Sequence, residues 1–228
     1  MKRAPQLVLR VLTMPCMAAA DRDVIAIDVL IEPGGALADQ ARALNARLRR
    51  DTPEGFALDA THIPHLSILH RFVRSADLER LSQAVAAIVA HPEFPHWRLM
   101  ATGLQASNDG AHRSIVIDVQ RTPALQQLQA GVEAAVAPFV ASGGGADAFV
   151  RTPGPPEIEQ GTIDYVATFV PLRVGAGFSP HLTVGKCSPR LAEQLLAERF
   201  TPVEFTIQRI AIYQLGNHGT ARVRLWPR

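Results

Sequence analysis

One five-residue word occurs twice in this chain. Pro64-His65-Leu66-Ser67-Ile68 returns as Pro180-His181-Leu182-Thr183-Val184, 116 positions later (181 minus 65). Both copies read proline, histidine, leucine, a hydroxyl residue, then a β-branched apolar residue. Proline is harmless at the first residue of a strand, where its missing N–H is not needed, and β-branched residues favour strands. Each copy therefore predicts the start of a strand. Side chains alternate between the two faces of a strand. His65 and Ser67 share one face, with Leu66 and Ile68 on the other. His181 and Thr183 likewise oppose Leu182 and Val184. Each half of the chain must bury its own leucine and β-branched residue and leave an imidazole and a hydroxyl outside.

The rest of the sequence supplies elements around these two strands. Val24–Ile31 (VIAIDVLI) reads as a buried strand, ended by Pro33-Gly34-Gly35. Leu37, Ala41, Leu44 and Leu48 follow at helical spacing. The strand predicted over His65–Val73 leads to a helix capped by Ser75, with Leu78, Leu81, Val85 and Ile88 as its stripe. Trp97–Met100 and Ser114–Val119 read as strands. Thr122-Pro123 and Ser188-Pro189 are cap-plus-proline starts of helices. Ile163–Val170 reads as a short helix. His181–Lys186, Phe205–Tyr213 and Arg222–Trp226 read as strands. Residues 142–161 are rich in glycine and proline and predict the longest loop. Strands and helices alternate twice around that break, which predicts an α+β fold of two lobes.

Apolar residues make up 47% of the chain, enough for a core, and with aromatics at 6% that core must be mainly Leu, Val, Ile and Ala. A net charge of +2 fits a small or terminal phosphate substrate better than a long duplex, which calls for a stronger basic bias. Cys16 and Cys187 form no disulfide framework. Lys2 and Arg3, an apolar stretch and Ala18-Ala19-Ala20 have the layout of a secretory signal, although Arg10, Pro15 and Cys16 sit awkwardly in it. Residues 1–20 are therefore read as a signal peptide or an unstructured leader, and residues 21–228 as one bilobal domain. The protein is exported in the first case and cytoplasmic in the second. No apolar run is long enough to span a bilayer.

If the lobes face each other about a pseudo-twofold axis, His65, Ser67, His181 and Thr183 line one cleft. That set suits in-line displacement at phosphorus. A neutral imidazole takes a proton from the attacking oxygen and a protonated one gives a proton to the leaving oxygen. The hydroxyls donate to non-bridging oxygens, and no metal or other cofactor is required. For either word alone, a satisfied polar pair on a strand is the commoner meaning. The matched pair reverses that weighting. The paired His-x-Ser/Thr words resemble those of the 2H phosphoesterase superfamily, in particular its bacterial 2′-5′ RNA ligase and cyclic phosphodiesterase branch. The resemblance covers most of the chain after Asp21. It implies two pseudo-symmetric α/β lobes with antiparallel sheets around a central cleft, His65 and His181 as the catalytic pair, and Ser67 and Thr183 on the phosphate.

Weaker candidates surround these four. Arg71, six residues after His65, falls on the same face if the strand runs on, where its guanidinium would meet a phosphate oxygen; an ordinary solvated arginine is the alternative. Tyr213 and Phe178 are candidate base or substrate contacts, with core packing as the alternative for each. His62, His65 and His70 invite a metal reading, but strand alternation separates them and no acidic or cysteine partner stands at a ligand spacing. Cys187 shares the face of His181 by the same alternation, at about 20 Å, too far for a nucleophile–base pair. The expected activity is opening of a 2′,3′-cyclic or related phosphate on a small nucleotide or RNA terminus, with no stable protein partner implied. The alternatives are 2′-5′ RNA ligation and a non-catalytic nucleotide or RNA-end binding module.

Overall fold

The structure, a computed structural model, describes residues 23–90, 97–151 and 157–227. The leader, with Cys16, and His91 and His96 lie outside the described residues. Seven strands and five α-helices are found among the described residues: β1 (Val24–Pro33), α1 (Gly35–Asp51), β2 (Leu66–Arg74), α2 (Leu78–Val89), β3 (Arg98–Asp109), β4 (His112–Val119), α3 (Pro123–Val136), α4 (Gln160–Arg173), β5 (His181–Cys187), α5 (Pro189–Ala197), β6 (Val203–Leu215) and β7 (Ala221–Trp226). The strands run β1-β2-β5-β4-β3-β6-β7, and every pairing is antiparallel. This is the expected α+β fold.

β6 organises the sheet. Its first residues, Val203–Thr206, pair with β3, its middle pairs with β1, and its end pairs with β7. Because β1 touches both β2 and β6, six strands close into a ring, with β7 attached to β6. The ring has two halves that share β6, namely β2-β1-β6-β7 and β5-β4-β3-β6. They meet again across β2 and β5, the two strands that follow the histidines, through the single pair Leu66–Leu182. The helices cross over. α1 follows a strand of the first half yet packs on β5 of the second, while α3 follows β4 of the second and packs on β2 of the first. α4 also lies against β2. The main core gathers Ile27, Val29, Leu66, Ile68, Ile117, Leu182 and Val184, all fully buried.

Thr122 and Ser188 cap α3 and α5 as their sequence context predicts, their hydroxyls accepting from Leu125 N–H at 3.2 Å and Leu191 N–H at 3.3 Å. Ser75 is not a cap. It opens a 3₁₀ turn, Ser75–Asp77, and α2 begins only at Leu78. β3 extends well past Met100, because Gly103 to Asp109 pair with β4 although they lack the apolar alternation that announces a strand. α4 is longer than expected at both ends, and the 142–161 segment is not bare loop. It holds a 3₁₀ turn, Ala146–Ala148, after which fully buried Phe149 meets Phe72 edge-on.

Candidate active site

Both histidines sit at the start of their strands in one orientation. His65 Nδ1 lies 2.8 Å from the Ile63 carbonyl, and His181 Nδ1 lies 2.7 Å from the Ser179 carbonyl. A carbonyl only accepts, so each Nδ1 carries a proton and donates it. That fixes the tautomer and leaves Nε2 to receive or deliver a second proton. His65, Ser67, His181 and Thr183 all line one cavity of about 710 Å³. The structure thus brings together the four residues of the two words.

Alternation fails directly after each word. The β1–β2 register passes from Val29–Leu69 to Leu30–Ser67, leaving Ile68 as an extra residue. The β4–β5 register passes from Ile115–Gly185 to Val116–Thr183, leaving Val184 as the extra residue. Each lobe therefore has a β-bulge at the fifth position of its word, and a bulge exchanges the two faces beyond it. Gly185 takes φ +148° at the second bulge, a conformation that side chains rarely adopt. Buried amides hold both bulges. Asn45 of α1 donates to the Val184 carbonyl at 2.7 Å, and Gln129 of α3 donates to the Ile68 carbonyl at 3.1 Å. Asn45 also donates to the Phe56 carbonyl and accepts from Leu58 N–H, while Gln129 also donates to the Arg173 carbonyl and accepts from Gly175 N–H.

The bulges correct two expectations. Arg71 does not share the face of His65; it pairs with Ile27, whose side chain is in the main core, and it is not on the cavity wall. Cys187 does not share the face of His181; it is fully buried in the core, and burial pushes its thiol up to about 11. The residues that reach the cavity are one position earlier, five after each histidine: His70 and Lys186.

His70 meets a buried carboxylate. Asp28 stands in the middle of apolar β1, fully buried, paired in register with His70. Its Oδ2 accepts from Ser67 Oγ–H at 2.7 Å, lies 3.1 Å from His70 Nε2 and faces His65 Nε2 at 3.6 Å. Ser67 therefore spends its hydroxyl proton on Asp28, contrary to the expectation that it donates to a phosphate. Thr183 is exposed and lines the cavity. α4 roofs the first half of the site: Phe169 stacks on His70 at 4.7 Å, Tyr165 meets it edge-on at 5.3 Å, and Arg173 lies over the Tyr165 ring at 4.1 Å.

Burial lowers the pKa of His181, assisted by His65 and Arg173 and opposed by the Ser179 carbonyl and Asp118. His62 precedes β2, so strand alternation does not govern it. Its ring meets Phe56 at a tilt, 4.5 Å between centroids, and stands 6.4 Å from that of His65, and burial holds its pKa down to about 3. Phe56, His62, Lys186 and His218 separate this cavity from a second, of about 780 Å³, which Arg151 and Arg222 also line. Phe178 belongs to the cavity wall, although it is 4% exposed and packed in the core. Tyr213 does not reach the cavity. It packs with Leu30, Ala211 and Ala221, its hydroxyl donates to Glu32 Oε1 at 2.9 Å, and burial pushes its pKa up to about 12. Among the described residues, no group of three or more His, Cys, Asp or Glu side chains is arranged to hold a metal, and no helix is long and apolar enough to cross a membrane.

A bilobal antiparallel fold with one orientationally fixed imidazole per lobe on a shared cavity describes a two-histidine protein of the phosphoesterase or ligase kind. Residues 33–219 match the family model of the 2′-5′ RNA ligase superfamily, and the chain belongs to that family, which is the 2H phosphoesterase superfamily. Membership supports a phosphoesterase or ligase-like activity. No protein of curated function matches the chain.

Sequence reasoning missed Asp28, Lys186, Asn45 and Gln129, and weighed His70 only as a metal ligand. Asp28 carried a signal, as the one charge in VIAIDVLI. His70 and Lys186 carried a weaker one, since they occupy equivalent places after the repeated word. The two amides carried none.

Proposed function

We propose that this protein is a metal-independent phosphodiesterase that opens 2′,3′-cyclic or related cyclic phosphates on nucleotides or RNA ends, with His65 and His181 as its acid and base. The observation that carries this reading is the presence of two imidazoles on one cavity, each with Nδ1 bound to a backbone carbonyl two residues back. Binding alone has no need of two proton-transfer groups held in matching tautomers. One imidazole accepts a proton from water as its oxygen attacks phosphorus. The other protonates the ribose oxygen as its bond to phosphorus breaks, leaving a phosphomonoester. Thr183 donates to a non-bridging oxygen, and Lys186 offers a cation to the same group. Ser67 acts at one remove, through Asp28.

The test is hydrolysis of a 2′,3′-cyclic nucleotide in EDTA by wild type, His65→Ala and His181→Ala. Turnover by wild type, with a loss on the order of 10²- to 10⁴-fold in each folded variant, is expected. Turnover that vanishes in EDTA and returns with an added metal would overturn the mechanism. The second cavity favours one further reading. A polynucleotide end that runs past His62 and Lys186 toward Arg222 has room there, and 2′-5′ ligation is the same ring opening with an RNA 5′-hydroxyl in place of water: its oxygen bonds to phosphorus, the bond to the 3′-oxygen breaks, and the 3′-oxygen takes a proton. Joining of two RNA ends by the wild type and not by the histidine variants tests it.

A further inference from the structure

The reaction cavity does not end at the histidines. Phe56, His62, Lys186 and His218 each line both it and the second cavity, of about 780 Å³, so the two are neighbours across one partition. His62 ties that partition to the chemistry, its ring standing 6.4 Å from that of His65. The second cavity is by itself of a size that holds a small organic ligand, yet a mononucleotide with its cyclic phosphate at the histidines leaves it unused.

One short turn builds the partition and the wall behind it. His218 takes φ +59°, uncommon for a residue with a side chain. Such backbone persists only where its surroundings over-determine it, and it concentrates at sites that hold ligands. Here the surroundings are the start of α4. Asn217 Oδ1 accepts from Glu159 N–H at 3.1 Å and from Thr162 Oγ–H at 3.2 Å, and His218 N–H donates to Thr162 Oγ at 3.1 Å. Gly216 N–H closes the turn on the Thr220 carbonyl at 2.8 Å. The chain then enters β7, whose second residue, Arg222, lines the second cavity. Its stem lies against Gly216, where an added Cβ would collide with Cγ of Arg222. Glycine at 216 thus leaves the room in which the arginine stem lies.

Arg222 is the cation of this cavity left for a ligand. Arg151 donates to Asp147 at 2.7 Å. Of the carboxylates, Asp59 accepts from both the N–H and the hydroxyl of Thr61 at 2.8 Å, Glu54 faces His112 at 3.7 Å, and Glu157 is exposed. Arg222 is half-buried and its charge acts on His62 and Asp59, but it makes no hydrogen bond or ion pair among the described residues. A guanidinium presents a fork of donors that matches two phosphate oxygens at once. Phe56, half-buried and common to both cavities, supplies the flat apolar surface that a nucleobase stacks on.

We infer that the second cavity is a subsite for the nucleotide that precedes the reacting end of an RNA strand, with Arg222 binding the phosphodiester between the two nucleosides and Phe56 the base beyond it. This rests on the phosphodiesterase reading proposed above and narrows its substrate to RNA ends of two or more nucleotides. The terminal ribose crosses the partition at His62 and His218, its cyclic phosphate on one side and its 5′-phosphate on the other. Arg222 is a specificity residue and takes no part in the bond changes.

Binding tests this without turnover. A dinucleotide with a terminal 3′-phosphate contains no cyclic bond, and calorimetry should show it bound at least about tenfold more tightly than the nucleoside 3′-phosphate, the worth of one charge-assisted hydrogen bond. That ratio should fall about tenfold in Arg222→Ala. Gly216→Ala retains the arginine but displaces its stem, at a backbone φ of −108° that any residue adopts, and should lower the ratio too. Equal affinity for the two ligands, no binding of the dinucleotide, or a ratio unmoved in both folded variants overturns the inference. Tighter dinucleotide binding without hydrolysis of cyclic ends supports the subsite and sinks the phosphodiesterase reading alone. Where hydrolysis occurs, the ratio of kcat/KM for a dinucleotide 2′,3′-cyclic phosphate to that for the mononucleotide should fall in the same two variants.

Discussion

Asn45 offers the sharpest test of how the fold holds the site. It is 4% exposed and makes three hydrogen bonds, to the Val184 carbonyl at 2.7 Å, to the Phe56 carbonyl at 2.9 Å and from Leu58 N–H at 2.9 Å. Leucine has a similar shape and none of these groups. In Asn45→Leu the Val184 carbonyl and the Leu58 N–H are left buried and unpaired, each costing about 1–3 kcal/mol, and the half-buried Phe56 carbonyl adds less. The expected loss is about 3–5 kcal/mol, a large part of a typical domain's stability. For a chain of this length that lowers Tm by about 10 °C. Activity should also suffer in the folded fraction. The lost bonds anchor the bulge after Thr183 and the loop that carries Phe56 against His62, and a displacement of about 1 Å at a catalytic group costs up to about 100-fold. The assay is thermal or urea unfolding together with cyclic-phosphate hydrolysis measured well below Tm. An unchanged Tm would refute the stability argument. A lowered Tm with unchanged kcat would show that Asn45 supports the fold without placing His181 and Thr183.

Three further outcomes follow from the same geometry. Gly185→Ala should lower both Tm and kcat, since alanine is strained at φ +148° and its Cβ would come within 3.0 Å of Leu48 and 3.2 Å of Asn45; an active variant of wild-type Tm would refute this. Arg71→Ala and Tyr213→Phe should each keep kcat/KM within about twofold, because neither side chain reaches the cavity, with Tyr213→Phe losing about 1 kcal/mol of stability for its bond to Glu32; a large loss of turnover would show that a substrate reaches them. His62, depressed to about 3 by burial, contributes stability that is complete above its unfolded value near 6.5 and is lost as pH falls toward 3. Unfolding free energy should drop by about 1.4 kcal/mol per pH unit across that window on its account, and acid denaturation of His62→Gln should show a shallower slope there; an identical slope would refute the assignment.

The sequence was most legible where one rule acted alone. The repeated word placed two equivalent strand starts, and the cap-plus-proline signals at Thr122 and Ser188 placed two helix starts, because both depend on local backbone chemistry. Counting by twos failed at Arg71 and Cys187 for one physical reason. A bulge adds a residue without changing composition, and Ile68 and Val184 look like any strand residue. β3 was cut short for the opposite reason: Gln105 and Ser107 pair through their backbones and need no apolar pattern. The long-range contacts were silent. Nothing near Asn45 or Gln129 in the sequence points to a carbonyl 139 or 61 residues away. Asp28 stood out within its run, but its partners come from β2, and only the folded register supplies them.

The ring of strands is a circuit with one weak link. On the side of β6 the two lobes are joined by a continuous 13-residue strand, and on the side of the histidines the strands themselves meet only in the Leu66–Leu182 pair. Parting that pair would turn the ring into an open sheet without disturbing the other strand pairings. β6 would then serve as the spine and the two histidine strands as the covers of a book. The width of the opening is set where the fewest backbone bonds resist it. Segments with little bonding are those that open first in folded proteins. The gap between the two imidazoles is thus the dimension of this fold set by the fewest strand bonds, while each imidazole's aim within its own lobe is fixed by the carbonyl behind it.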